Sequence, residues 1–123
     1  MDAKEIKLAV QTYLDACYES DGDKFREVFH DVANIYGHAE DGSLGAKTKA
    51  EFISFVESKK PPGYTPDFPR TEEILSIEFS DEKTAVVRLK VRVAALMFSD
   101  ILCFMCLGGK WKIISKVYTG KPV

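Results

Sequence analysis

The second half of the chain constrains the fold most, because from residue 72 onward its apolar residues recur at every second position. Two segments, EILSIEF and TAVVRLKVRVAAL, flank the turn sequence SDEK. This alternation is typical of an antiparallel hairpin with one buried face. A second hairpin is predicted from FSDILCFMCL and KWKIISKVY, since the Gly108–Gly109 pair between them suits a tight two-residue turn.

The first half of the chain carries helical patterns instead. Apolar residues at helical spacing predict an amphipathic helix over residues 3–19, and Asp23 can cap a second, short helix. The segment ANIYGH favours a strand, and Thr48 with Glu51 forms a capping box at the start of a third helix. Residues 59–70 contain four of the five prolines and are predicted to be a loop.

These patterns predict a single α+β domain over residues 1–123. Helices come first and strands last, so we expect three N-terminal helices packed on one face of a strongly curved antiparallel sheet. A chain of 123 residues is long enough to bury a sizeable core.

Composition excludes several function classes. The net charge is −2 and no run of basic residues could follow a phosphate backbone, so we expect no nucleic-acid partner. The apolar runs are too short to span a bilayer and the amino terminus lacks the apolar region of a secretory signal, which predicts no membrane association and a cytoplasmic location. Cys103 and Cys106 have C-x-x-C spacing, but no second Cys/His pair accompanies them. We therefore expect no metal and no cofactor.

The segment from residue 98 to residue 107 is apolar on both of its strand faces. One face carries Phe98, Asp100, Leu102, Phe104 and Cys106, and the other carries Ser99, Ile101, Cys103, Met105 and Leu107. A strand with one wet face should alternate polar and apolar residues, so this strand needs a cover on each side. The helices supply one cover. A second copy of the chain, packed sheet to sheet in a homodimer, supplies the other, unless long side chains such as Arg88 and Arg92 screen that face.

Asp100 is the acid in this apolar strand, and it must be solvated, paired or neutral. It could lie in solvent at the strand entrance. If it is buried, a protonated Asp100 would donate a hydrogen bond, and an ionised one would need a cation, for which Lys116 is the nearest candidate. On the last strand, Ile114, Lys116 and Tyr118 share one face and Trp111, Ile113 and Val117 the other, and the pattern leaves open which face is inner.

The element order, together with the ending D-I-L-x-x-x-x-L-G-G-K-W-K-I-I-S-K, resembles the nuclear transport factor 2-like superfamily, and most of all its lumazine-binding-like and SnoaL-like branch. The resemblance implies a cystatin-like cone that encloses a pocket between helices and sheet. It does not fix an activity, because the superfamily includes isomerases, cyclases, dehydratases and protein-association domains.

The similarity to ketosteroid isomerases within that superfamily is partial. Tyr13 falls where those enzymes place an oxyanion-binding tyrosine, and Asp100 where they keep a protonated aspartic acid. The position of their general base falls at Gly37, which cannot accept a proton. His38 is the neighbouring candidate, but it has the opposite strand parity and would reach the pocket only if the strand bends.

We therefore expect a small-molecule-binding protein with a mostly apolar pocket, and, if it is an enzyme, an isomerase, dehydratase or cyclase. Tyr13, Asp100 and His38 are the candidate catalytic residues. The candidate ligand contacts are Phe29, Tyr36, Phe55, Phe104 and Lys116. The alternative is a non-catalytic protein-association module in which the pocket has no ligand.

Overall fold

The computed structural model describes residues 3–59 and 67–123, which form three helices and one six-stranded sheet. The helices and strands follow the chain in the order α1 (Lys4–Glu19), α2 (Gly22–Val28), β1 (Phe29–His38), β2 (Leu44–Thr48), α3 (Lys49–Lys59), β3 (Glu72–Asp81), β4 (Thr84–Val93), β5 (Leu96–Leu107) and β6 (Lys110–Pro122). The predicted α+β class with three N-terminal helices is confirmed. Among these described residues, no helix has the length and apolar character needed to cross a membrane.

The first two helices follow from local sequence. Helix α1 buries one apolar face, as its spacing predicts, and it ends at Ser20, which has a left-handed φ of 53°. Helix α2 is capped by Asp21 rather than by Asp23 as predicted. The Asp21 side chain accepts hydrogen bonds from the backbone N–H groups of Asp23 and Lys24, at 2.9 Å and 3.2 Å.

The third helix begins at the predicted capping box. The backbone N–H of Thr48 donates to the Glu51 carboxylate at 2.9 Å, and the backbone N–H of Glu51 donates to the Thr48 hydroxyl at 3.2 Å. The predicted proline-rich loop follows this helix, and its central residues, 60–66, lie outside the described residues.

The strand order in the sheet is β2-β1-β6-β5-β4-β3, so the last strand lies between the first strand and β5. Every neighbouring pair is antiparallel except β1 and β6, which are parallel. The expectation of a purely antiparallel sheet is therefore wrong at this pair. A parallel pair needs a long connection, and here everything from β2 to β5 makes that connection, which no local pattern could reveal.

Both predicted hairpin turns are present, at residues 82–83 and at Gly108–Gly109, and the structure has one further turn that was not predicted. Gly108 and Gly109 both have positive φ, at 58° and 80°, as the predicted tight turn between β5 and β6 requires. The chain also turns at Ala94 and Ala95, inside the segment predicted to continue as a strand. Ala94 has a φ of 54° without being glycine, and its carbonyl accepts a hydrogen bond from the Arg92 side chain at 2.9 Å.

Candidate functional site

A cavity of about 340 Å³ lies between the inner face of the sheet and helices α1, α2 and α3. Its walls are mainly apolar and include Phe25, Ile35, Phe52, Val91, Val93 and Phe98. The volume is at the lower end of the range, roughly 300–1,000 Å³, that is common for small-molecule sites. Exposed and half-exposed residues at its mouth come from the end of β1, from β2 and from the end of α3.

Asp100 is buried at the base of this cavity, with 2% of its surface exposed. It lies in the middle of the sheet, between Leu89 of β4 and Tyr118 of β6. The alternative of a solvated carboxylate at a strand entrance is therefore wrong. Strand β5 begins at Leu96, four residues before Asp100, and that places the carboxylate within the sheet.

Tyr13 of α1 reaches Asp100 across the core. Its hydroxyl donates a hydrogen bond of 2.5 Å to Asp100 Oδ2, and the tyrosine is fully buried. The Phe25 and Phe29 rings pack edge-on against the Tyr13 ring, with centroids 6.0 Å and 6.2 Å away, and hold it in place. Burial, and after it the negative charge of Asp100, raises the pKa of Tyr13 well above its ordinary value of 10.0, so Tyr13 remains a donor.

Lys116 is the third polar residue at the base of the cavity, and it is buried with 7% exposure. Its Nζ lies 3.9 Å from Asp100 Oδ2, which is within ion-pair range but too long for a hydrogen bond. Three aromatic rings surround Nζ, with centroids 4.9 Å away for Phe52 and 5.3 Å away for both Tyr13 and Tyr118.

Asp100 Oδ2 has two polar neighbours, since Tyr13 donates a hydrogen bond to it and the Lys116 ammonium group lies within ion-pair range. Asp100 Oδ1 is buried and has no hydrogen-bond partner. Among the described residues, it is the one buried side-chain N or O atom without such a partner. The Tyr13 hydroxyl donates to Asp100 rather than to the cavity. The ketosteroid isomerase resemblance implies that Tyr13 and Asp100 both donate hydrogen bonds to a ligand, and this geometry differs from that arrangement.

The last strand presents Lys116 and Tyr118 inward because it contains a bulge. Ile113 pairs with Phe104 while Ser115 pairs with Cys103, so one extra residue, Ile114, interrupts the alternation. Ile113 is fully buried on the inner face although it has the opposite sequence parity to Lys116. The sequence could not show which face is inner because the parity changes within the strand.

Gly37 is the position that the resemblance assigns to a general base. A Cβ atom at this position would lie 2.6 Å from Cζ of the Tyr118 ring, so only glycine leaves room for that side chain. The Tyr118 ring packs edge-on against Phe98, with centroids 5.8 Å apart, and lines the cavity. Tyr118 therefore occupies the space next to β1 in which a carboxylate would have to lie.

The remaining predicted residues are divided between the cavity and other places. His38 and Phe55 line the mouth of the cavity, and both are exposed. The expectation that Phe29 and Phe104 form cavity walls is wrong, because both are buried in the core, at 1% and 0% exposure, and neither lines the cavity. Tyr36 alternates with the inward-facing Ile35 and also does not line the cavity.

Several cavity residues are not among the predicted site residues. Tyr118 and Phe98 lie two residues from Lys116 and Asp100 on the same strands, and Cys17 lies one helical turn after Tyr13, so the spacing could have identified all three. Burial raises the pKa of Cys17 from 9.0 to about 12, which keeps it as a thiol.

The mouth of the cavity carries positive charge. Lys47 and Lys59 both lie over the Phe55 ring, with their Nζ atoms 5.2 Å and 4.8 Å from its centroid. Together with Lys116 they favour a ligand that carries a negatively charged or electron-rich oxygen. Within residues 3–59 and 67–123, no cluster of three or more His, Cys, Asp or Glu side chains could hold a metal ion.

Comparison with known proteins identifies the family. The sequence profile described as "Putative lumazine-binding" matches residues 1–119. Aldolase FrzH of Cladobotryum sp. is 24% identical over 112 residues, which cover 89% of this chain and 84% of that protein.

Solved structures with the same fold include two nuclear transport factor 2-like proteins of unknown function and a ketosteroid isomerase-like protein. The protein from Shewanella baltica OS155 has a TM-score of 0.86 at 20% identity, covering 98% of this chain and 94% of its own. The one from Silicibacter pomeroyi DSS-3 has a TM-score of 0.82 at 24% identity, and the match covers 96% of this chain and 94% of that protein. The ketosteroid isomerase-like protein from Erwinia carotovora atroseptica has a TM-score of 0.73 at 15% identity, and the match covers 98% of this chain and 96% of that protein. The chain belongs to the putative lumazine-binding family, and its fold is that of the nuclear transport factor 2-like structures.

Proposed function

We propose that this protein binds a small organic molecule in the cavity, with a carbonyl, enolate or phenolate oxygen of that molecule directed at Lys116. The observation that carries the proposal is the arrangement of Tyr13, Asp100 and Lys116 as one polar cluster at the base of a mainly apolar cavity. Apolar walls supply most of the affinity for such a ligand, and a few polar groups orient it.

Within the cluster, Lys116 is the member that is available to a ligand. Tyr13 donates its hydroxyl hydrogen to Asp100, and Asp100 Oδ1 is closed off from solvent. Lys116 Nζ has no hydrogen-bond acceptor among the described residues, and an ammonium group can donate three hydrogen bonds. An oxygen of the ligand would satisfy these donors.

If the protein is an enzyme, proton transfer next to a carbonyl group is the chemistry that these residues support, as in an isomerase, a dehydratase or a cyclase. Lys116 would stabilise negative charge on the oxygen, and His38 at the mouth would accept or return the proton. The name of aldolase FrzH is consistent with carbonyl chemistry on this fold.

The proposal is tested with three flat probes of similar size: 2-naphthol, 2-naphthoate and naphthalene. Isothermal titration should show the two oxygen-bearing probes binding more tightly than naphthalene. The Lys116→Met variant should bind all three about equally, while Lys90→Met, which removes an exposed lysine from β4, should behave as wild type. If none of the probes binds, or if Lys116→Met keeps the preference for an oxygen, the proposal is wrong.

A second candidate function, association with another copy of the chain, has its own observation. The outer face of the sheet exposes apolar side chains on its two central strands, including Met105 at 39% and Val117 at 45% exposure. Ile101 pairs with Val117 and joins them on this face. We propose that these residues form a homodimer contact. This function does not compete with ligand binding, because the cavity opens on the other face of the sheet. The cytoplasmic location stays a prediction.

A further inference from the structure

Lys116 is buried, lines the cavity and has no hydrogen-bonded partner among residues 3–59 and 67–123. Lys49, for comparison, donates hydrogen bonds to the backbone carbonyl of Phe29 at 2.8 Å and to Asp31 at 3.0 Å. Lys116 instead points its Nζ among three aromatic rings, with Asp100 Oδ2 at 3.9 Å as the charged neighbour. A simple structural ion pair would bring Nζ and the carboxylate into hydrogen-bond contact.

Asp100 Oδ2 lies 3.9 Å from Nζ, so the Lys116 side chain has to shift towards it before the carboxylate can take a proton from the ammonium group. Transfer of one proton from Nζ to Oδ2 gives a neutral amine and a carboxylic acid. In a cavity with apolar walls, this exchange removes two charges from a poorly solvated place. A neutral lysine amine in such a place is a nucleophile toward carbonyl carbon.

We propose that Lys116 forms an iminium bond with an aldehyde or ketone that enters the cavity. This inference rests on the proposed function, because it takes the same cavity and the same class of ligand and makes the contact covalent. The Nζ lone pair attacks the carbonyl carbon, and the Asp100 carboxyl group returns its proton to the carbonyl oxygen. The carbinolamine then loses water, and the protonated C=N bond remains with Asp100 as its carboxylate. The sum of the steps is ammonium plus carbonyl giving iminium plus water, with no oxidant or reductant.

The surroundings of Nζ fit the product as well as the reactant. The iminium carries the same single positive charge as the ammonium, at the same position, so the Asp100 carboxylate and the three rings stabilise both. An iminium draws electrons from the adjacent carbon and makes its C–H bond acidic. A base at the cavity mouth, such as His38, could then remove that proton, which leads to carbon–carbon bond chemistry.

Two probes test the bond directly. Acetylacetone condenses with an unprotonated amine to a conjugated enaminone that absorbs in the near ultraviolet and needs no reductant. Benzaldehyde with cyanoborohydride converts an iminium to a benzylamine that mass spectrometry can locate. With wild-type protein we expect one adduct per chain, mapped to the peptide that contains Lys116. Lys116→Arg should give no absorbance, and Lys90→Arg should react as wild type.

Several outcomes would overturn the inference: adducts spread over surface lysines with none at Lys116, no adduct at all, or the same absorbance in Lys116→Arg. Peptide mapping of wild-type protein alone decides the matter if Lys116→Arg does not fold. The result also separates the two proposals. Binding of 2-naphthol without an adduct removes the iminium and leaves the binding site. An adduct at Lys116 in a protein that shows no preference for oxygen-bearing probes removes the proposed oxygen contact and leaves the iminium.

Discussion

At the scale of the residue, the cost of burying Asp100 determines how the site is built. The carboxylate has 2% exposure and lacks a partner at Oδ1, so its two contacts at Oδ2 have to compensate for lost hydration. Tyr13 comes from a helix and Lys116 from the last strand. The cluster therefore forms only when both layers of the fold are in place.

The first prediction concerns the Tyr13–Asp100 hydrogen bond. Tyr13→Phe keeps the ring and removes the donor, so Asp100 would lose its hydrogen bond inside the core. We expect the free energy of unfolding to fall by about 1–3 kcal/mol, measured by urea denaturation near neutral pH. Asp100→Asn and the double variant complete a mutant cycle. Additive effects of the two substitutions would show that the contact contributes nothing.

The second prediction concerns alkaline pH. Burial raises the pKa of Cys17 from 9.0 to about 12 and raises that of Tyr13 well above 10.0, so the folded chain holds both protons more tightly than the unfolded chain does. The contribution of Cys17 to stability is complete below pH 9 and is lost as the pH rises toward 12, while that of Tyr13 is complete below pH 10 and is lost only at higher pH. The slope reaches about 1.4 kcal/mol per pH unit for each group once its unfolded form is deprotonated.

Urea midpoints of wild type and Cys17→Ala between pH 8 and pH 10.5 check this prediction. The variant lacks the thiol, so its stability should fall less steeply above pH 9 than that of wild type. Parallel curves for the two proteins would mean that the Cys17 thiol titrates alike in the folded and unfolded chains.

Residue patterns identified the cluster but not the cavity walls. Tyr13, Asp100 and Lys116 could be picked because a polar group on an apolar face needs a partner. Phe104 shares a strand face with Asp100, but it is fully buried in the core and does not line the cavity. Strand parity gives the face on which a side chain lies and not its position along the strand, so the sequence could not separate a core phenylalanine from a wall of the cavity.

At the scale of the element, regular alternation predicted the strands of the second half of the chain, did not predict β2, and failed where the chain departs from alternation. The bulge at Ile114 reverses the parity of β6 between Ile113 and Lys116. The turn at Ala94 places an alanine at positive φ, and the turn preferences of residue types do not predict this. Gly108–Gly109 was predicted correctly because its turn type demands residues that tolerate positive φ.

The third prediction concerns the packing of β1 against β6. Gly37→Ala adds a Cβ atom that would meet the Tyr118 ring at 2.6 Å, so the ring must move. Overpacking of this kind costs typically about 1–3 kcal/mol, measured as a lower urea midpoint. Removing the ring in Tyr118→Ala makes room, so Gly37→Ala should cost much less in that background. An equal cost in both backgrounds would place the strain in the backbone of β1 instead.

At the scale of the whole molecule, the sequence predicted the layers but not the order of all the strands. Hairpins connect strands that are neighbours in the chain, so β3 to β6 could be placed side by side. The parallel contact of β1 with β6 joins residues about 80 positions apart in sequence. That contact brings Gly37 next to the Tyr118 ring, which forms part of the cavity wall.

The last prediction concerns assembly. If the outer face of the sheet is a two-fold interface, we expect Ile101 and Val117 of one protomer to be buried by those of its partner. Wild-type protein should have about twice the 13.8 kDa mass of one chain in light scattering coupled to size exclusion. Val117→Lys places a charge in the middle of the interface and should give the mass of a single chain. Leu8→Lys is the matched control, because Leu8 is 59% exposed on α1, on the other side of the molecule, and its substitution should leave the dimer intact. A wild-type mass of 13.8 kDa would show instead that this apolar face is exposed in the isolated protein.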